Sequence, residues 1–306
     1  MSKFDHLDPK AQELLELRPA ERASRMLIDR FITHERLAPI LDHVEFLFHL
    51  PRQSRASGLV VSGKPGSGKT MIARAVQRRH PLKPPEGMQS ASLPVMCISM
   101  TNAREAKTLY NRMLAQLGIP DAGRYVGSDR ERMVIKLCRA ADLRLLIVDE
   151  IQVILTSTAR QQRIALDTIK FLMNELSLPI LALGTSQAPE AMQVDEHLNA
   201  RFKSRELPVW KQDAFLVSFL DTLERVLPLK KSSNLSSLPI SSALLRHSDG
   251  ILDAMVRLIT YAAAHAVESG DEMITVTGLE RARSEPPLAA IRMASSATAP
   301  EAQKAA

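Results

Sequence analysis

The sequence contains 306 residues, with a formal net charge of +6 and 45% hydrophobic residues. A chain of this length accommodates two domains or one large α/β domain, and the hydrophobic fraction is sufficient for a sizeable core. The two cysteines, Cys97 and Cys138, exclude a disulfide framework and a cysteine-based zinc site, as is typical of a reducing cytoplasm. No segment has the length of a transmembrane helix or the apolar core of a signal peptide, so we expect a soluble cytoplasmic protein without membrane contact.

Four regions follow one another along the chain. Residues 1–57 contain helical patterns bounded by prolines and form a predicted N-terminal helical extension. Residues 58–210 alternate short apolar runs with helical stretches, which predicts an α/β fold with a parallel five-stranded sheet and flanking helices. Residues 211–283 show only helical periods, and the segment 284–306, rich in Ala, Ser and Pro, is predicted to be disordered. The strand candidates are 58–62, 94–99, 143–148, 179–183 and 206–210.

The first predicted strand leads into the sequence GKPGSGKT, which is a P-loop. Glycines let the backbone N–H groups of such a loop converge on an anion, and the N-terminus of the following helix adds partial positive charge. Lys69 is placed to reach the β- and γ-phosphates of ATP, and the Thr70 hydroxyl to coordinate Mg²⁺. We therefore predict ATP and Mg²⁺ as cofactors. The predicted nucleotide contacts are Gly63, Lys64, Pro65, Gly66, Ser67, Gly68, Lys69, Thr70 and Asp149.

An acidic pair, Asp149 and Glu150, ends the apolar run LRLLIV. At the carboxyl edge of a parallel sheet, Asp149 would hold the Mg²⁺ ion with Thr70, and Glu150 would polarise the attacking water. By itself the pair is equally typical of a strand that ends in two solvated acids. The P-loop upstream favours the catalytic interpretation.

A further strand ends in Gly184 and Thr185, followed by Ser186. The Thr185 hydroxyl could lie near the γ-phosphate, where it would sense phosphate or orient water. Ser186 is the competing candidate, and a simple helix cap by Thr185 is nearly as well supported.

Two arginines, Arg201 and Arg205, are predicted on or just after the helix that precedes the last strand. An arginine there is placed to face outward, towards the nucleotide of a neighbouring subunit. A positive charge supplied in this way stabilises the transferring phosphoryl group. The alternative is a solvated or salt-bridged arginine.

In this order and spacing, GLVVSGKPGSGKT, RLLIVDEIQ, ILALGTSQA and LNARF resemble an AAA+ ATPase. The sequence is most similar to the TniB-type transposition ATPases, which are related to the TnsC-type regulators. The resemblance extends over about residues 20–280 and implies a P-loop sheet with a C-terminal helical lid, 211–283. It also implies assembly into homo-oligomeric rings or filaments on double-stranded DNA, and the selection of target DNA for a DDE-type transposase, in association with a bacterial nucleoid.

The family pattern assigns roles residue by residue. It implies ATP and Mg²⁺ contacts at Lys69, Thr70 and Asp149. It also implies a hydrolytic role for Glu150, the first sensor role for Thr185 and a trans-acting role for Arg201. The lid departs from the family pattern, because Asp253 stands where many AAA+ lids carry an arginine that touches the γ-phosphate. Arg257, one turn later, is not assigned to the site. We therefore expect ATP hydrolysis to ADP and phosphate that is slow or depends on assembly.

The sequence indicates DNA contacts less clearly than nucleotide contacts. Arg104 and Lys107 follow the second predicted strand at positions i and i+3 of one helical face, and they are the first candidates. Arg160 and Arg163 are the second. For Arg104 and Lys107, a solvated helix face is at least as good an interpretation. The eight histidines show no ligand spacing, which argues against a metalloenzyme.

Three functions are consistent with these motifs. The first is a transposition ATPase. The second is a replication or helicase-loader ATPase, which shares the motifs and also works on DNA. The third is a nucleotide switch that recruits proteins without DNA, and the presence of Glu150 and Arg201 argues against it.

Overall fold

The computed structural model describes residues 4–28, 32, 34–84, 91–102, 105–120 and 127–292. The strands are β1 (Gly58–Gly63), β2 (Val95–Ser99), β3 (Leu145–Asp149), β4 (Ile180–Gly184) and β5 (Phe202–Leu207). The helices are α1 (Pro9–Glu13), α2 (Pro19–Met26), α3 (Ala38–His49), α4 (Lys69–Arg79), α5 (Ala106–Gln116), α6 (Gly127–Ala140), α7 (Ala159–Leu176), α8 (Ala188–Gln193), α9 (Glu196–Asn199), α10 (Ala214–Val226), α11 (Leu238–Ser248), α12 (Leu252–Ser269) and α13 (Val276–Ser284). Across these described ranges, no helix combines the length and apolarity needed to cross a membrane.

The chain divides into two compact units. One comprises Met1–Glu35 with Val209–Ala306, and the other comprises Arg36–Pro208. This division splits the region predicted as an N-terminal extension, 1–57. Helix α2 packs against α12 in the first unit, whereas α3 packs against α4 in the second.

The second unit is built on the five strands, which are all parallel and follow the order β2-β3-β4-β1-β5 among the described residues. Every residue of β1 and β4 is buried, and because successive side chains of a strand point to opposite faces, both faces of the sheet centre are covered. Helix α4 contacts β1, β2 and β4, and α8 contacts β1 and β4. The predicted parallel α/β fold is confirmed.

The fifth strand differs from its prediction. It spans Phe202–Leu207 rather than 206–210, and Arg205 lies within it rather than on or after a helix. β5 lies at the sheet edge, where Lys203, Ser204, Arg205 and Glu206 are exposed. An edge strand with exposed side chains on both faces lacks the continuous apolar run by which the central strands were found.

The first unit is helical. Its core contains Met26 of α2, Leu220 of α10, Leu244 of α11 and Ile259 of α12. Arg22 and Glu272 form a buried ion pair between α2 and the turn after α12. Residues 284–306 were predicted to be a disordered tail, but Ser284 is the last residue of α13, 288–292 are helical and Ala290 is fully buried in this core. The rest of that predicted tail, 293–306, lies outside the described residues.

Candidate functional site

The P-loop connects the carboxyl end of β1 to the start of α4. Gly68 caps α4 with φ +96°, a left-handed conformation that glycine adopts without a steric penalty. The Lys69 ammonium is buried and donates hydrogen bonds to the carbonyl oxygens of Gly63 (2.9 Å) and Lys64 (2.8 Å). Burial lowers the pKa of Lys69, an effect that the Glu150 and Asp149 carboxylates oppose. The loop therefore holds its one buried cation at the N-terminus of a helix, which is the arrangement that binds phosphate.

Asp149 ends β3 and lies beside the P-loop. Its Oδ2 atom is 3.4 Å from the Thr70 hydroxyl oxygen, although the two residues are 79 positions apart in sequence. Burial raises the pKa of the Asp149 carboxyl, and the hydrogen bonds from the Glu150 N–H and the Thr70 hydroxyl oppose the shift. A hydroxyl and a carboxylate are the hard oxygen ligands that Mg²⁺ prefers, so Thr70 and Asp149 fit the predicted ion. When bound, the ion would neutralise phosphate charge.

Glu150 has an unusual backbone. Its φ of +59° and ψ of +38° lie in the left-handed region, which is rare for a residue with a side chain and is concentrated at functional sites. Its N–H donates to Asp149 Oδ1 at 2.9 Å. Because of this turn, the two neighbouring carboxylates both extend from the carboxyl end of β3. Glu150 Oε2 accepts a hydrogen bond of 2.5 Å from the side-chain amide of Gln152.

Gln152 was missed by sequence reasoning. It belongs to a 3-10 helix, Ile151–Thr156, and its Oε1 accepts a hydrogen bond of 3.0 Å from the backbone N–H of Thr185. Nothing in the local sequence pairs Gln152 with Thr185, because the contact depends on β3 and β4 being neighbours in the sheet. The only signal in the sequence for Gln152 was its position two residues after Glu150, in the motif DEIQ.

Thr185 follows β4, the strand between β3 and β1 in the sheet order. This order places Thr185 between the acidic pair and the P-loop. Its hydroxyl is buried and has no hydrogen-bond partner among the described residues. The helix-cap alternative does not hold for the side chain, because the N-cap of α8 is Gln187 and only the Thr185 carbonyl bonds to that helix. Ser186 is exposed.

Arg201 lies at the end of the sheet where the strands begin, opposite the carboxyl ends that carry the P-loop and the acidic pair. Its carbonyl oxygen accepts from the N–H of Gly58 at 2.9 Å, which places it beside the amino end of β1, whereas the P-loop begins at the carboxyl end. Its guanidinium donates to Asn174 of α7 at 2.7 Å. The structure therefore separates Arg201 from the residues that it brings together, Lys69, Thr70, Asp149, Glu150 and Thr185.

The DNA candidates follow β2 and β3 along the chain. Lys107 is exposed near the start of α5, and Arg104 lies outside the described residues. Arg160 and Arg163 are exposed on the first turns of α7. The structure assigns none of them a ligand.

A histidine cluster links α3 to the end of α4. The ligand atoms of Glu45, His49 and His80 lie within 4.8 Å of one another, contrary to the expectation that the histidines lack such grouping. Glu45 also binds the Arg79 guanidinium at 3.2 Å, and the hydrogen bonds and charges of His80 and Arg79 outweigh burial and lower the pKa of its carboxyl. We interpret the cluster as an ion-pair network that fixes the end of α4.

The residue that departs from the family pattern, Asp253, belongs to the helical unit. Asp253 lies in the first turn of α12, and its carboxylate pairs with the Arg257 guanidinium at 3.7 Å. Both side chains are exposed. The pair neutralises the one arginine that follows closely after Gly250 on this helix.

The sheet order, the P-loop after β1, the acidic pair after β3 and the helical unit define an AAA+ ATPase. A family model described as the bacterial TniB protein matches residues 22–212, more than half of the chain, and the chain belongs to the TniB family. An ORC1-type DNA replication protein of Cenarchaeum symbiosum (strain A) is 28% identical over 130 residues, which are 40% of this chain and 28% of that relative. The match thus spans under a third of the relative's length.

Solved structures show the same fold. The Aeropyrum pernix ORC2 protein, solved in ADPNP-ADP complexes, has a TM-score of 0.63 at 17% identity, over 85% of this chain and 70% of that one. The ORC1 protein of the same organism, solved in complex with DNA, has a TM-score of 0.61 at 15% identity, over 86% and 69%. Cdc6p from Pyrobaculum aerophilum has a TM-score of 0.56 at 14% identity, over 82% and 68%.

Proposed function

We propose that this TniB-family protein is an ATP-dependent DNA-binding regulator of transposition, which assembles on target DNA and recruits or activates a DDE-type transposase. The observation that carries the proposal is the meeting of Lys69, Thr70, Asp149 and Glu150 at one edge of the sheet. Phosphoryl transfer requires phosphate binding, Mg²⁺ ligands and a carboxylate that orients water, and these side chains would supply all three.

The roles of individual residues follow from their positions. Lys69 would bind the β- and γ-phosphates, and Thr70 with Asp149 would hold Mg²⁺. Glu150 would accept a proton from the attacking water. The Thr185 hydroxyl, buried without a partner, would donate to the γ-phosphate, because an unsatisfied buried hydroxyl gains free energy from such a bond. Arg201 would act on the nucleotide of the next subunit in a homo-oligomer.

Double-stranded DNA is proposed as the partner. The ORC1 protein of similar fold was solved in complex with DNA, and the net charge of +6 suits a polyanion. Electron microscopy with duplex DNA and ATP, ADP or no nucleotide tests the proposal. We expect rings or filaments on DNA only with ATP, and monomers off DNA in all three conditions would refute it in favour of a nucleotide switch.

Hydrolysis is tested by phosphate release. We expect Glu150→Gln to keep ATP binding and to lower turnover by about 10²-fold or more, since the general base is lost. Glu190→Gln changes an exposed glutamate of α8 and is the matched control, with turnover like the wild type. Unchanged phosphate release by Glu150→Gln would contradict the assigned role.

A replication ATPase is the second candidate, favoured by the ORC1-type DNA replication relative. The two functions differ in what the DNA-bound assembly activates. Stimulation of strand transfer by a DDE-type transposase supports transposition. Loading of a replicative helicase, without such stimulation, supports replication.

A further inference from the structure

Gln152 connects two parts of the candidate site. Its Nε2 donates to Glu150 Oε2 at 2.5 Å, and its Oε1 accepts from the Thr185 N–H at 3.0 Å. One side chain therefore joins the acidic residue after β3 to the first residue after β4. Glu150 Oε1 makes no hydrogen bond among the described residues, so one carboxylate oxygen is held and the other is left for a ligand.

The orientation of the Gln152 amide is determined by its partners. A backbone N–H is only a donor, so the amide oxygen must face Thr185. An ionised carboxylate is only an acceptor, so the NH₂ group must face Glu150. Glutamate at this position would keep the bond to Thr185 but would place a second carboxylate against Glu150.

The surrounding backbone makes room for this bridge. A Cβ atom at position 184 would overlap Gln152 Oε1 and lie 2.9 Å from the Ala188 Cβ, so any side chain there would displace the amide. Glu150 itself is held in the left-handed region that brings its carboxylate to Gln152. Both features are sterically demanding, and both serve the same contact.

We propose that Gln152 is a positioning residue for ATP hydrolysis. Its NH₂ group holds the Glu150 carboxylate in the orientation that leaves Oε1 towards the attacking water, and its oxygen ties that carboxylate to the strand that carries Thr185. The proposal rests on the proposed ATPase function. It adds a residue that acts through Glu150 rather than on the nucleotide.

Two variants separate positioning from packing. Gln152→Ala removes both hydrogen bonds, whereas Gln152→Glu keeps the volume and the bond to Thr185, loses the donor and places a second carboxylate beside Glu150. We expect both to lower kcat for phosphate release by about 10- to 100-fold, because a hydrogen bond to a charged group is lost. KM and the Kd of a fluorescent ATP analogue should change less than about 2-fold, because only the orientation of Glu150 is altered. Gln193→Ala, at the exposed end of α8, is the control, with wild-type kcat.

A double variant tests whether Gln152 acts through Glu150. In the Glu150→Gln background, Gln152→Ala should cause no further loss, because residues acting as a unit are not additive. Thermal unfolding of each variant checks that the fold is retained. Wild-type kcat in Gln152→Glu, or independent losses in the double variant, would overturn the role of Gln152 while leaving the ATPase intact. Absence of phosphate release by the wild type with DNA would overturn both proposals.

Discussion

Arg201 gives the sharpest test of assembly. It lies beside the amino end of β1, and the P-loop begins at Gly63, five residues further along that strand from Gly58. At about 3.3 Å per residue the two are separated by ~17 Å, which is beyond the reach of an arginine side chain. Arg201 therefore has no access to the nucleotide of its own chain. We expect Arg201→Ala to lower DNA-stimulated ATPase activity by about 10³-fold or more, the range seen for trans-acting arginines.

Mixing two inactive variants measures the trans geometry directly. Arg201→Ala retains Glu150, and Glu150→Gln retains Arg201. In a head-to-tail assembly formed at random from equal amounts, about one quarter of the interfaces join an intact glutamate to an intact arginine. Phosphate release by the mixture should therefore recover to about one quarter of the wild-type rate, far above either variant alone.

Two controls test whether the loss of activity is specific to the Arg201 guanidinium. Asn174→Ala removes the hydrogen bond to Arg201 within the chain and should leave turnover near the wild type. Arg205→Ala removes an exposed arginine of β5 and should do the same. A mixture that stays as inactive as its components, with assembly intact by microscopy, would refute the trans role.

Three further predictions concern the rest of the chain. Arg22→Met should lower the free energy of unfolding of the helical unit by about 1–3 kcal/mol in urea denaturation, because the buried Glu272 carboxylate would lose its guanidinium partner and keep only Lys230, whose ammonium lies 3.8 Å away and whose backbone N–H donates at 3.2 Å. Glu224→Gln should cost about 2 kcal/mol at pH 7, because four donors converge on this carboxylate. Burial raises the pKa of Glu224, but these hydrogen bonds outweigh it and lower the pKa overall. The difference in the free energy of unfolding between the wild type and Glu224→Gln is therefore full above pH ~4.5, and it disappears as the pH falls through the lowered pKa. Burial raises the pKa of Cys97 to about 11 and of Cys138 to about 12, so a thiol reagent at pH 8 should label neither in the native protein and both after denaturation. Labelling of native Cys138 at the denatured rate would contradict its burial.

Local chemistry was sufficient to predict much of the site. A P-loop requires its glycines, lysine and threonine at a fixed spacing within eight residues, so GKPGSGKT predicts both a structure and a ligand. The central strands are buried on both faces, and their continuous apolar runs mark them in the sequence. The acidic pair was recognisable because it ends such a run. The edge strand β5, with four exposed residues, gave no comparable signal and was displaced in the prediction.

The sequence alone determined the class of the protein through the order and spacing of its motifs. It also determined the nucleotide loop and the pair Asp149–Glu150, because each of these lies within one short stretch of the chain. Only the tertiary structure decided which distant residues join them. Thr70 meets Asp149, and Gln152 meets Thr185, because β4 lies between β3 and β1 and the carboxyl ends of parallel strands share one edge. Arg201 is excluded from that edge for the same reason, since it precedes its strand rather than following it. Strand order is set by the packing of the whole sheet, and no local pattern encodes it.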